Sequence, residues 1–206
     1  MTVTIAEELL LLALSEHQGR FLISTAQLDL ALGGGVLAEL ALAGRIAKVG
    51  RRLAVAAPQP LGDAELDAAL SLIARDRPRT PEWWVRKLKS DDLRGRLLAR
   101  LARAGVLAME RTKALGIFPV TRWPELNPAV EAEVRSRAAA VLAGAAPDAR
   151  TTALIALAKA AGLDRKAFPG SSRSRVKELA RGHWVADAVA RAIGSDNVAV
   201  MTTTIT

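Results

Sequence analysis

Residues 37–46 read Leu37-Ala38-Glu39-Leu40-Ala41-Leu42-Ala43-Gly44-Arg45-Ile46, and the later stretch Leu98-Ala99-Arg100-Leu101-Ala102-Arg103-Ala104-Gly105-Val106-Leu107 matches it at six of ten positions. In both, a run of Leu and Ala is stopped by glycine. Leu and Ala lose little on entering a helix, and glycine takes the left-handed conformation that ends one. After Gly44, Arg45–Val49 and Arg52–Ala56 alternate around Gly50-Arg51 and predict a short β-hairpin. After Gly105, Val106–Glu110 and Ile117–Thr121 predict the arms of a second, with Arg111–Gly116 at its tip. Helix, glycine stop and hairpin is the outline of a winged-helix unit. The chain is therefore predicted to be mainly α, a single compact helical domain with two protruding β-hairpins, and the repeat admits two tandem winged-helix-like units.

Outward from this core the signals are helical. Thr4-Ile5-Ala6-Glu7 reads as a capping box. Leu9–Leu14 is apolar on nearly every side, as in a helix buried all round, and Gln18-Gly19 ends it. A short helix is expected near Thr25–Leu32, then a turn at Gly33-Gly34-Gly35 and a helix over Val36–Ala43. Asp63 caps a helix to about Ala74. Beyond the break at Arg77–Pro81, Glu82–Lys89 is helical, and Ser90-Asp91-Asp92 starts a helix running to Ala104. Further helices are predicted at about Pro128–Ala143, Asp148–Ala161, Ser172–Gly182 and Val185–Ile193. The domain is placed at 1–195 and a flexible tail at 196–206.

Half of the 206 residues are hydrophobic, ample for a sizeable core. The chain has no cysteine, which excludes disulfides, thiolate metal sites and thiol nucleophiles. Unbroken apolar runs such as Leu9–Leu14 fall far short of the roughly 20 residues that span a bilayer. No signal peptide is visible, so the expected location is the cytoplasm.

Charge is unevenly spread. The net charge is +8, yet residues 1–74 hold five Lys/Arg against eight Asp/Glu, and residues 75–113 hold twelve against five. Such a concentration attracts anionic partners, nucleic acid or an anionic membrane alike. The bland reading is a genome rich in Arg and Ala codons, which explains the composition better than the clustering.

Thr4–Leu14, Leu37–Ile46, Asp67–Leu70, Arg96–Leu107 and Thr152–Ala160, taken in that order and spacing, resemble the Golgi phosphoprotein 3 family over roughly residues 2–195. The eukaryotic members carry an acidic or disordered leader before the first helix, and its lack here implies a bacterial, actinobacterial member. The resemblance implies a helical fold with protruding hairpins and peripheral membrane binding through the head group of phosphatidylinositol 4-phosphate. It also implies binding to cytosolic tails of membrane enzymes. In the family the head group is held by an aromatic residue, an Arg before the Glu-Leu-Ala-Leu helix, and two Arg three apart on a later helix. Carried over by position, these fall at Ser24, Gly33, Asp91 and Arg94. Only Arg94 keeps the family's residue.

Read by themselves, these residues have a logic of their own. Arg94 points into the apolar face shared by Leu93, Leu97, Leu98 and Leu101, so it must reach an anion, snorkel, or pair with Asp91 or Glu39. Arg96, Arg100 and Arg103 flank that face as a solvated basic stripe. Gly33, Gly34 and Gly35 precede a helix start whose free N–H groups could cradle an anion. The bland reading of the triplet is a turn needing positive φ. Leu115, Ile117 and Phe118 beside Arg111 and Lys113 suit insertion into a head-group layer or a strand packed on its own core, and the resemblance implies that this hairpin contacts the membrane or a neighbouring subunit in self-association. Of Trp83-Trp84, one is expected in the core and one near an interface. Neither His17 nor His183 has ligand or triad spacing, and each reads as a helix-end or surface histidine. The expected function is thus a non-catalytic, cofactor-free protein docking on anionic lipid, with a winged-helix nucleic-acid binder as the alternative.

Overall fold

The computed structural model describes residues 3–15, 18–89, 91–114 and 118–203, with the side chains of 91, 112–114, 118–120 and 197–203 left aside. It is mainly α, with two separate two-stranded antiparallel sheets. The first helix, α1 (Ile5–Leu12), opens with the predicted capping box. Thr4 Oγ1 accepts the Glu7 N–H, and the Glu7 carboxylate accepts the Thr4 N–H at 2.8 Å. Every residue of α1 is buried, the two glutamates included.

The largest departure from expectation is α2, one continuous helix over Thr25–Leu42. Gly33, Gly34 and Gly35 lie inside it and are buried. They are there because three neighbours press against that turn. A Cβ on Gly33 would stand 2.9 Å from the Val85 carbonyl oxygen, and one on Gly34 would stand 2.4 Å from Val189 Cγ2. A Cβ on Gly35 would stand 2.8 Å from Ala6 Cα. The triplet is therefore a close-packing device, and its N–H groups belong to the helix ladder rather than to a free N-terminus. By length and mean hydropathy (18 residues, 1.2) α2 could cross a membrane, but two-thirds of it is buried in the fold. It is the central core helix.

The repeat is real in three dimensions. At the end of α2 the Gly44 N–H bonds Ala41 O and the Arg45 N–H bonds Leu40 O. At the end of α5 (Asp91–Arg103) the Gly105 N–H bonds Ala102 O and the Val106 N–H bonds Leu101 O. Gly44 and Gly105 have φ of 67° and 70°, so both helices close with the same Schellman geometry. A hairpin follows each: β1 (Ile46–Val49) with β2 (Arg52–Val55), and β3 (Glu110–Ala114) with β4 (Phe118–Arg122). The second hairpin starts four residues later than expected. Val106 and Leu107 are core residues, and Leu107 pairs with Glu125 outside the hairpin. Arg111 consequently lies in a strand, opposite Thr121.

Between the hairpins lie α3 (Ala64–Arg75) and α4 (Pro81–Leu88), capped by Asp63 and Thr80. Then come α6 (Pro128–Leu142), α7 (Ala149–Ala160), the unforeseen short α8 (Asp164–Ala167), α9 (Arg173–Leu179) and α10 (Trp184–Thr203). The last helix runs ten residues past Ile193, where the sequence reading ends it. Asp196 on this extension pairs with Arg86 and Lys89 at 3.1 and 3.3 Å.

Candidate functional site

The N-terminal end of α2 gathers the residues that the resemblance singles out. Ser24 is the helix cap, and its Oγ accepts the Gln27 N–H at 3.3 Å. One turn on, the carboxylate of Asp29 is nearly fully buried and pairs with the Arg94 guanidinium from the first turn of α5. The Arg94 Cζ also sits 5.7 Å from the centre of the Phe21 ring. Arg94 thus resolves its burial through Asp29, a partner that the sequence reading did not name. Gly33 is a turn further along α2, packed on α4. The side chain of Asp91 falls outside the described residues.

The basic stripe on α5 is solvated at Arg96 and Arg103 but not at Arg100. Arg96 forms a bidentate pair with Glu65 at 2.7 and 2.9 Å. Arg100 turns inward and bonds Glu7 at 2.6 Å and Asp63 at 2.5 Å. Burial works against the Arg100 charge, but those two carboxylates outweigh it and raise its pKa. Arg103 remains exposed, with Nε donating to Ala99 O at 3.3 Å. On the far side of α1, Glu8 takes Arg137 at 2.8 Å and Arg150 at 3.2 Å, and Arg150 continues to Glu39 at 2.7 Å. Much of the arginine that looked available for a partner is spent on carboxylates inside the fold. The helix period predicted which residues share a face, but the acids that cap neighbouring helices decide where each guanidinium goes.

Leu115 and Ile117 lie outside the described residues. Phe118 opens β4, opposite Ala114, but its side chain falls outside them as well. Trp84 is core, while Trp83 is half-buried beneath the Arg79 guanidinium, 4.7 Å from its ring centre. Arg86 and Lys89 are held by Asp196. His183 begins α10, its Nδ1 accepting the Ala186 N–H at 3.3 Å, and His17 lies outside the described residues. Among the described residues no group of three or more His, Asp or Glu could hold a metal ion.

The exposed positive charge collects elsewhere. Lys48, Arg51 and Arg52 of the first hairpin and Arg191 of α10 line a groove of about 670 Å³ with Thr80, Pro81 and Glu82. The sequence reading passed over it because residues 1–74 are net acidic as a block. The local signal was there: residues 45–55 hold four basic residues and no acid. The fold adds Arg191 from far along the chain, which no local pattern announces.

A family model described as Golgi phosphoprotein 3 matches residues 5–195 of the chain. The chain is also similar to vacuolar protein sorting-associated protein 74 of Eremothecium gossypii, at 29% identity over 164 residues. That match covers 68% of this chain and 49% of the relative, so the chain spans about half of that protein's length.

Proposed function

The chain belongs to the Golgi phosphoprotein 3 family, and from that premise we propose that it is a non-catalytic protein docking peripherally on the cytoplasmic face of an anionic membrane. The head group it reads is phosphoinositide-like, phosphatidylinositol 4-phosphate being the family's ligand. The observation that carries this reading is the family match across residues 5–195. Arg94 supports it, as the one family head-group residue that is kept, set over an aromatic ring at the mouth of α2. Cytosolic tails of membrane enzymes, and self-association through the second hairpin, follow as partners on the same footing.

The nucleic-acid alternative has less behind it. Both helix–hairpin units invite it, but α2 is buried rather than presented to a groove, and Arg96 and Arg100 are occupied by carboxylates.

Co-sedimentation with vesicles tests the proposal, using phosphatidylcholine alone, with phosphatidylserine, and with phosphatidylinositol 4-phosphate. The wild type should pellet best with the phosphoinositide. Arg94→Lys keeps a charge against Asp29 but loses the planar fork, so it should fold normally and lose that preference. Equal pelleting on every acidic vesicle would reduce the function to general electrostatics. No pelleting at all would overturn it.

A further inference from the structure

We propose that the first hairpin, with the α3–α4 junction and Arg191, is a second membrane-docking surface, one that rests on the membrane reading above but not on Arg94. The groove described above holds four cations, and its one carboxylate, Glu82, is taken by Arg191. Lys48 and Arg51 are exposed and have no hydrogen-bond or ionic partner among the described residues. Residues 75–80, beside the hairpin, add three arginines against Asp76. Lys48 and Arg51 are therefore open positive charge, unlike Arg94, Arg96, Arg100 and Arg150, which are folded onto acids.

The hairpin is held firmly enough to present that charge. Ile46 at its base and Leu53, one pair from the turn, are buried, and the Leu53 N–H bonds Arg79 O at 2.8 Å. Arg52 Nη1 bonds Pro78 O at 2.8 Å. At the turn itself Val49 is 65% exposed, opposite Arg52 and beside Gly50 and Arg51. An apolar side chain ringed by cations on a protrusion suits the boundary between head groups and acyl chains.

Two features favour a bilayer over a single bound phosphate. The start of α4, which lines the groove, makes a poor backbone cradle for an anion: Pro81 lacks an N–H, Glu82 carries a carboxylate, and the Trp83 N–H is taken by Thr80 Oγ1 at 3.3 Å. Its cations are also spread over a volume far larger than one phosphate fills, as a diffuse anionic surface needs. The hairpin follows the C-terminal end of α2, whereas Asp29 and Arg94 meet near its start, and Asp29 and Leu42 are roughly 20 Å apart along the helix axis. The two surfaces can therefore be varied separately.

The test is vesicle co-sedimentation with phosphatidylcholine containing phosphatidylserine, for the wild type, Lys48→Ala/Arg51→Ala and Val49→Asp. Thermal melts confirm that these exposed positions leave the fold intact. The double variant should bind roughly 25-fold more weakly, about fivefold for each cation removed near an anionic surface, and Val49→Asp should weaken binding more at low salt than at high, because salt screens the repulsion of its added charge. Wild-type pelleting that neither variant changes would overturn this inference and leave the family reading standing. A wild type that pellets with no acidic vesicle would overturn both. If the double variant instead lost a short DNA duplex that the wild type held more tightly than vesicles, the hairpin would be a nucleic-acid wing and the membrane assignment would fall.

Discussion

Arg100 Nε lies 2.6 Å from Oε1 of Glu7, and the same guanidinium reaches Asp63 at 2.5 Å, so one arginine of α5 joins the capping residues of α1 and α3. Glu7 is 1% exposed. Its carboxylate already serves the capping box, and Arg100 sets a countercharge beside it in the interior.

Removing Arg100 strands that charge, so Arg100→Ala should cost about 3 kcal/mol of unfolding free energy. Arg96, one turn before Arg100, is about half exposed, and its pair with Glu65 is screened by solvent. Arg96→Ala should cost less than about 1 kcal/mol. Urea titrations of both variants measure the contrast, and equal losses would mean that Arg100 is a surface pair like any other.

The helices and their ends were legible because their signals are local. Thr4 and Asp63 cap as expected, Thr80 and Asp148 take the same role where a break and a first helical residue are read from the sequence, and Gly44 and Gly105 stop their helices as expected. The glycine triplet misled for a physical reason. A glycine that ends a helix and one that admits a neighbour look the same in sequence, and the partners at Gly34 and Gly35, Val189 and Ala6, lie far away along the chain. The site was less legible for a related reason. Arg94 and Arg100 find Asp29 and Glu7 only after α2 and α1 pack beside α5.

Glycine substitutions separate these two roles. Gly35→Ala drives a methyl into the Ala6 backbone, which cannot move aside as a side chain can, and should destabilise by roughly 1–3 kcal/mol. Gly95 is exposed within α5, and a Cβ there meets nothing within 4 Å. Gly95→Ala should stabilise by up to about 1 kcal/mol through helix propensity. Opposite signs in paired thermal melts are the expected result.

His183 sets an acid limb. Burial lowers its pKa below the usual 6.5, against the pull of Asp187, and its neutral Nδ1 accepts the Ala186 N–H. The folded state therefore resists a proton that the unfolded chain accepts. The stability this contributes is present above about pH 6.5 and is lost as pH falls towards the lowered value. His183→Asn keeps a capping oxygen and should flatten that limb in a pH series of urea midpoints.

Glu131 sets the opposite limb. It is buried on α6, and burial together with the neighbouring Glu125 carboxyl pushes its pKa up to about 8, against the pull of Arg135, whose Nε donates to Glu131 Oε1 at 2.6 Å. Here the folded state keeps a proton that the unfolded chain loses near pH 4.5. The resulting stability is fully present below that pH and declines as pH rises through the raised value, by at most roughly 1.4 kcal/mol per unit. Glu131→Gln cannot ionise and keeps an acceptor oxygen for Arg135, but it lacks the proton uptake that stabilises the folded wild type at low pH. It should be less stable than the wild type at pH 5 and should close that gap by pH 8. A gap that widened instead would show that Arg135 holds Glu131 ionised.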